Sequence, residues 1–206
     1  MSYREVRSTF VAHSVFVTVM SSEFPSPHRE NIVLIGFMGS GKSSVGRMLA
    51  KRLNFRFLDT DTLIEERAWM PIKDIFAKHG EAFFRERETA ALASLAGARQ
   101  HIIATGGGIV TQPRNVPLLH KLGWVVLLKA DPDEIFRRVA HNKRRPLLQV
   151  ENPRDRVETL LAERQPLYEQ AADFCVDSTG LQREAVVERV IEGARKVFGW
   201  PESAES

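Results

Sequence analysis

Cysteine is almost missing from this sequence of 206 residues, in which Cys175 is the only one. An intramolecular disulfide is therefore excluded, which is typical of a protein from a reducing compartment. Cys175 lies in an apolar run between Phe174 and Val176. We expect its thiol to pack in the core rather than to react.

Long apolar runs are missing as well. The most hydrophobic early stretch, residues 11–20, contains His13, Ser14 and Thr18. It is too short and too polar to span a bilayer, and it makes a poor signal-peptide core. We therefore expect a soluble cytoplasmic protein with no membrane partner.

The excess of positive over negative charge is small, because the sequence has 29 lysines and arginines and 26 aspartates and glutamates. A net charge of +3 is too small to indicate a nucleic-acid partner, although it suits acidic small molecules. The 43% of hydrophobic residues is ordinary for one globular domain. We predict a flexible extension at residues 1–29, a domain at 30–200 and a frayed tail at 201–206.

Short β-type runs alternate with segments of helical periodicity. Proline follows a capping residue at Asp131 and Asn152 and, more weakly, at Gln112, which indicates helix starts. Alternation of this kind predicts an α/β fold of three layers, with a five-stranded parallel sheet and helices on both faces. The predicted strands are residues 31–35, 55–59, 101–105, 124–130 and 174–177.

The segment GFMGSGKS at residues 36–43 matches the phosphate-loop pattern G-x-x-x-x-G-K-[ST] between a predicted strand and a predicted helix. Glycines let backbone N–H groups approach a phosphate, and the helix N-terminus adds partial positive charge. Lys42 can reach the β- and γ-phosphates, and the Ser43 hydroxyl is a natural Mg²⁺ ligand. The alternative is a glycine-rich turn that binds nothing.

Two aspartates close the second predicted strand. Asp59 and Asp61 are two residues apart, so an extended chain points both carboxylates the same way. One can hold Mg²⁺ through water while the other holds an acceptor hydroxyl. The alternative is that Asp61 only caps the following helix, predicted at residues 62–68.

Three further segments are less specific. Gly106, Gly107 and Gly108 follow the third strand and offer bare N–H donors to a ligand, unless they are only a flexible turn. Arg85 and Glu88 share a helix face, where a solvated salt bridge is the alternative. The basic run at residues 142–148 suits either a solvated surface or a closing lid whose arginine meets the nucleotide.

Two classes of phosphate-loop protein do not fit. The guanine-binding string Asn-Lys-x-Asp is absent, since residues 142–145 lack the aspartate, and a helicase or motor needs a longer chain. A compact kinase for nucleosides or metabolites remains.

Read together, these segments resemble the shikimate kinase family, from about residue 31 to about residue 196. The resemblance rests on GFMGSGKS at 36–43, FLDTD at 57–61, FRxxE at 84–88, TGGG at 105–108, RPLL at 145–148 and RxPLY at 164–168. Ser44 departs from the family's usual threonine. The adenine-loop pattern near residues 180–183 is only partly present.

The resemblance implies transfer of the ATP γ-phosphoryl group to the 3-hydroxyl of shikimate by a monomer that uses Mg²⁺. It implies an acceptor-binding segment at about 60–95 and a mobile lid at about 141–152. The residue roles that it implies fall into four groups. ATP would contact Gly39, Ser40, Gly41, Lys42, Ser43, Ser44, Arg138, Arg145 and Arg183. The acceptor would contact Asp61, Arg85, Gly106, Gly107, Gly108 and Arg164. Mg²⁺ would be held by Ser43 and, through water, by Asp59. The catalytic residues would be Lys42, Asp61 and Arg145, the arginine of the lid.

Two other interpretations stay open at this point. One is a different small-acid or sugar kinase, such as a gluconate kinase. The other is a nucleotide-binding module without catalysis, although Lys42, Ser43, Asp59 and Asp61 are all intact.

Overall fold

The structure is a computed structural model, and it describes residues 31–139 and 152–201. The predicted extension, the tail beyond residue 201 and nearly all of the predicted lid, with Arg145, lie outside the described residues. The division of the chain into extension, domain and tail therefore stays a prediction.

Five parallel strands form one sheet in the order β2-β3-β1-β4-β5. The predicted α/β fold with a five-stranded parallel sheet is confirmed, and each predicted strand matches an observed one to within one residue at either end. The strands are β1 (Ile32–Ile35), β2 (Arg56–Asp59), β3 (His101–Ala104), β4 (Trp124–Lys129) and β5 (Phe174–Asp177).

Helices cover both faces of this sheet. Successive strand residues point to opposite faces, and in β1 both sets of side chains are apolar and buried. The helices are α1 (Lys42–Leu53), α2 (Thr60–Ala68), α3 (Ile72–Ser94), α4 (Val116–Leu122), α5 (Pro132–Val139), α6 (Pro153–Ala171) and α7 (Arg183–Phe198). Val33 and Ile35 pack towards α3, α4, α5 and α6, whereas Ile32 and Leu34 pack towards α1 and α7.

Of the three helix N-termini predicted from a capping residue followed by proline, two are the N-termini of α-helices. Asp131 accepts a hydrogen bond from the Glu134 N–H at 2.7 Å where α5 begins. Asn152 accepts one from the Asp155 N–H where α6 begins. The weaker start, at Gln112, opens only a 3-10 turn, Pro113–Asn115, and makes no side-chain cap.

Helices α2 and α3 form a small layer of their own beyond β2. Ile64, Ile75, Phe84 and Ala91 make its core. Helix α3 is interrupted at Gly80, whose φ of 79° is a left-handed conformation that glycine adopts without strain. The second half of α3 therefore takes its own direction and brings Arg85 and Glu88 to the glycine segment after β3.

The expectation for Cys175 is wrong, because its side chain is exposed. Strand β5 pairs only with β4 and forms an edge of the sheet. Val176 faces the side of the sheet that α1 and α7 cover, and it is buried. Cys175 points to the other side, where the described helices leave it accessible.

Among the described helices, none combines the length and the apolar character required to cross a membrane.

Candidate active site

The phosphate loop joins the end of β1 to the start of α1. Gly39 and Gly41 adopt left-handed φ angles of 81° and 97°, and Gly41 is the residue that precedes α1. A methyl group at Gly39 would lie 2.6 Å from a methyl of Val139. The Ser40 hydroxyl is buried and has no hydrogen-bond partner among the described residues. A buried polar atom just before the N-terminus of α1 is what a bound phosphate would satisfy.

The Lys42 ammonium folds back over this loop. Its Nζ donates to the Gly36 carbonyl at 2.7 Å and to the Phe37 carbonyl at 2.8 Å, and the residue is only 8% exposed. Its charge is thus held at the mouth of the loop, where the β- and γ-phosphates of a nucleotide would lie.

One side of the loop opens on a cavity of about 650 Å³, here called the phosphate-loop cavity. Arg138 leans over it, with Nη1 donating to the Gly39 carbonyl at 3.3 Å and Nε donating to Glu134 at 2.7 Å. All predicted ATP contacts within the described residues line this cavity, namely Gly39, Ser40, Gly41, Lys42, Ser43, Ser44, Arg138 and Arg183.

The other side opens on a cavity of about 590 Å³, here called the arginine cavity. It contains every predicted acceptor contact: Asp61, Arg85, Gly106, Gly107, Gly108 and Arg164. Sequence reasoning missed several other lining residues, among them Met38, Glu65, Ile72, Lys73, Phe76 and Phe84. None of them was assigned a role, although Met38 lies inside GFMGSGKS, Phe84 opens FRxxE and the other four lie in the acceptor-binding segment predicted at about 60–95.

Ser43 lines both cavities. Its hydroxyl donates to Asp59 Oδ2 at 2.7 Å, and Asp59 Oδ1 accepts from the Asp61 N–H at 3.1 Å. Asp59 is therefore the residue that caps α2, so the alternative that gave this role to Asp61 is wrong. Serine hydroxyl and carboxylate are hard oxygen donors that fit Mg²⁺.

Arg85 is buried among carboxylates. Nη1 donates to Glu88 Oε2 at 2.6 Å, and Nη2 donates to Glu81 Oε1 at 2.6 Å. The solvated salt bridge considered for this pair is wrong, since the side chains of Arg85 and Glu88 are 6% and 0% exposed. Burial lowers the pKa of Arg85, but the two glutamates raise it by more, so the guanidinium stays charged.

Burial raises the pKa of Glu88 to about 7, although the charge of Arg85 opposes the rise. The nearby charge of Asp61 adds to it. A methyl group at Gly106 would lie 2.6 Å from both Asp61 Oδ1 and Glu88 Oε1. The absence of a side chain at Gly106 therefore makes room for two carboxylates.

The glycine segment is fixed at each of its three residues. The Gly106 N–H donates to the Thr60 hydroxyl at 3.1 Å, and a methyl group at Gly108 would overlap the Arg85 guanidinium. The Gly107 carbonyl accepts from Arg164 Nη1 at 3.2 Å and also from the Tyr168 hydroxyl. The glycine segment is therefore held in place by these contacts and lines the arginine cavity, and it is not a flexible turn.

Comparison with known proteins decides the family. The family model for shikimate kinase matches residues 38–195. The chain belongs to the shikimate kinase family. The predicted family and the prediction of an ATP-dependent kinase are thereby confirmed.

Individual members of the shikimate kinase family resemble the chain over most of its length. The shikimate kinase of Moorella thermoacetica is 49% identical over 173 residues, which is 84% of this chain and 97% of that protein. The shikimate kinase of Caldanaerobacter subterraneus subsp. tengcongensis is 46% identical over 170 residues, which is 82% and 99%. The structure of the shikimate kinase from Acinetobacter baumannii in complex with shikimate has a TM-score of 0.78 and 38% identity, covering 81% of this chain and 93% of that one.

Proposed function

We propose that this shikimate kinase family member transfers the γ-phosphoryl group of ATP to the 3-hydroxyl of shikimate, giving shikimate 3-phosphate and ADP. The observation that carries the proposal is that the two cavities meet at Ser43. A nucleotide in one cavity and an acid in the other would have their reactive groups at this junction. Phosphoryl transfer depends mainly on such positioning and on charge stabilisation.

The nucleotide binds through the phosphate loop. Backbone N–H groups of Gly39, Gly41 and Lys42 and the Ser40 hydroxyl surround the β-phosphate. Lys42 exchanges its two carbonyl acceptors, on Gly36 and Phe37, for phosphate oxygens. Arg138 stacks beside adenine, and Ser44 and Arg183 contact the nucleotide from the rim of the cavity.

The acceptor binds through its carboxylate. Arg85 and Arg164 are both buried beside the glycine segment, and a guanidinium presents paired N–H donors that match a carboxylate. Glu81 and Glu88 hold Arg85 in place. The N–H groups of Gly107 and Gly108 contact the ring hydroxyls, and Gly106, whose N–H donates to the Thr60 hydroxyl, lines the cavity beside them.

Asp61 orients the reacting hydroxyl by accepting its hydrogen bond. The hydroxyl oxygen then forms a bond to the γ-phosphorus while the bond from that phosphorus to the bridging oxygen of ADP breaks. The Asp61 carboxylate accepts the hydroxyl proton. Lys42 stabilises the charge that develops on the phosphate oxygens.

Mg²⁺ fits the pair formed by Ser43 and Asp59. The Ser43 hydroxyl would be a direct ligand and Asp59 would act through water. When bound, the ion neutralises phosphate charge. Asp59 accepts from both the Ser43 hydroxyl and the Asp61 N–H, so the same carboxylate orients the metal ligand and the start of α2.

We propose further that the enzyme acts as a cytoplasmic monomer. The residues assigned above to the two cavities all lie on one chain, which supports a site formed within a single subunit. Sedimentation equilibrium at micromolar concentration is expected to give the mass of one chain, and a stable dimer would contradict this.

An acceptor panel tests the function. With ATP and Mg²⁺, ADP release is measured for shikimate, gluconate and 3-deoxyshikimate, the last of which keeps the carboxylate but lacks the reacting hydroxyl. We expect turnover with shikimate alone and competitive inhibition by 3-deoxyshikimate. Turnover of gluconate but not shikimate would favour a gluconate kinase. Nucleotide binding without turnover of any acceptor would favour a non-catalytic module.

A further inference from the structure

Tyr168 has no role in the function proposed above, yet its hydroxyl reaches the glycine segment. Tyr168 is 0% exposed, and its hydroxyl donates to the Gly107 carbonyl. Arg164 lies one helical turn earlier on α6 and donates Nη1 to the same carbonyl at 3.2 Å. A carbonyl oxygen has two lone pairs. Both lone pairs of the Gly107 carbonyl oxygen therefore accept hydrogen bonds from side chains on the same face of α6.

Gly107 also touches the phosphate loop on its other side. A methyl group at Gly107 would lie 3.1 Å from the Met38 nitrogen and 3.6 Å from the Phe37 carbonyl carbon. The Arg164 guanidinium carbon lies 5.9 Å from the centre of the Phe37 ring. The Gly107 peptide is thus clamped between α6 and the phosphate loop, at the boundary of the arginine cavity.

We propose that Tyr168 is a positioning residue for acceptor binding, which holds the Gly107 peptide so that Arg164 and the glycine N–H groups face the acceptor together. The inference rests on the proposed function. An arginine has five N–H donors, and the bond to Gly107 uses one of them. With the Tyr168 hydroxyl in place, Arg164 does not have to hold the Gly107 peptide alone, and its remaining donors stay directed at the carboxylate.

The hydroxyl remains a donor at every working pH. Burial raises the pKa of Tyr168 to about 12, although the charge of Arg164 opposes the rise. The contribution of Tyr168 is therefore the same between neutral and mildly alkaline pH, in contrast to that of the titrating Glu88.

The first test is Tyr168→Phe, which removes the hydroxyl and keeps the buried ring. We expect the KM for shikimate to rise about tenfold, the usual effect of one lost hydrogen bond in a buried site, with the KM for ATP close to that of wild type. Ser94→Ala is the control, because Ser94 also donates a hydroxyl to a backbone carbonyl, that of Ala91, and lines neither cavity.

A double-mutant cycle separates positioning from general stability. If Tyr168 acts through Arg164, Tyr168→Phe weakens shikimate binding much less in an Arg164→Ala background than in wild type. Additive effects, an unchanged KM for shikimate, or equal rises in both KM values would overturn the inference. Wild-type turnover of shikimate is measured alongside, so failure of the inference is distinguishable from failure of the proposed function.

A second measurement does not depend on the variant folding. Tyr3 and Tyr168 are the only tyrosines, so fluorotyrosine labelling of the full chain gives two fluorine resonances. We expect saturating shikimate to shift the resonance of Tyr168. If neither resonance moves when shikimate is bound, the inference is wrong.

Discussion

Arg85 and Glu88 form a buried ion pair in the wall of the arginine cavity, with Nη1 donating to Oε2 at 2.6 Å and no exposure of the glutamate. Glu88 Oε1 has no hydrogen-bond partner among the described residues. The pair therefore orients the arginine that is proposed to bind the acceptor, and it leaves a buried carboxylate oxygen that a proton can occupy.

The first prediction concerns pH. Burial raises the pKa of Glu88 from an ordinary 4.5 to about 7, so the fold favours its protonated form. Protonated Glu88 contributes its full stabilisation of the fold below pH 4.5, and this contribution is lost as the pH rises through about 7. The amide introduced by Glu88→Gln cannot titrate. The free energy of unfolding of wild type relative to the variant should fall over this window by on the order of 1–3 kcal/mol.

Urea unfolding of both proteins, at a series of pH values from mildly acidic to mildly alkaline, measures this difference. The charged groups that face Glu88, namely Arg85, Asp61 and Arg164, are present in both proteins. A constant difference would show that folding leaves the pKa of Glu88 unchanged, and a difference that rises with pH would show that folding lowers it; either result would contradict the prediction.

The second prediction concerns the acceptor carboxylate. Arg164→Ala should raise the dissociation constant for shikimate by about 10- to 100-fold, the effect of losing a charge-assisted contact, and leave that for ATP nearly unchanged. Isothermal titration with each ligand measures both. Arg154→Ala is the control, because Arg154 lies on the same helix and pairs at the surface with Glu158. Equal weakening of both ligands would rule out the carboxylate role.

The third prediction uses the close approach of Gly108 to Arg85. At Gly108 φ is −107°, so alanine is allowed by the backbone, but its methyl group would overlap the guanidinium. Gly108→Ala should therefore displace Arg85 and raise the KM for shikimate by about tenfold or more. Gly97→Ala is the control, since nothing lies within 4 Å of a methyl group there. Identical kinetics for the two variants would contradict the geometry.

The fourth prediction concerns Mg²⁺. Asp59→Asn keeps a good helix cap for α2 but removes the negative charge beside Ser43. The Mg²⁺ concentration that gives half-maximal rate should rise about tenfold, as for other residues that orient a metal ligand. Asp133→Asn, at an exposed carboxylate paired with Arg154, should leave it unchanged. An unaltered Mg²⁺ requirement in Asp59→Asn would exclude Asp59 from the metal site.

The sheet and the phosphate loop could be predicted because their signals are local. Strand β1 is four buried apolar residues followed at once by the loop, and the Asp131 and Asn152 caps stand directly before proline. Cys175 could not be placed in this way. Its apolar neighbours indicate a buried strand, and only the strand order reveals that β5 is an edge.

The candidate site depends on contacts between distant segments, and these were harder to predict. The spacing of Arg85 and Glu88 gives a shared helix face, but their burial depends on Gly106, which leaves room for Glu88 and Asp61. The contact between Tyr168 and Gly107 joins residues 61 positions apart. Family resemblance selected the residues assigned to ATP and to the acceptor, whereas the physical reason for each came from the fold.

The most direct measurement is a crystal structure of the full chain with shikimate, Mg²⁺ and a non-hydrolysable ATP analogue. The account predicts the shikimate carboxylate at about 3 Å from nitrogens of both Arg85 and Arg164, as in a charge-assisted hydrogen bond. The 3-hydroxyl should lie on Asp61 and face the γ-phosphorus. A carboxylate bound away from both arginines, or a 3-hydroxyl that points away from the nucleotide, would contradict it.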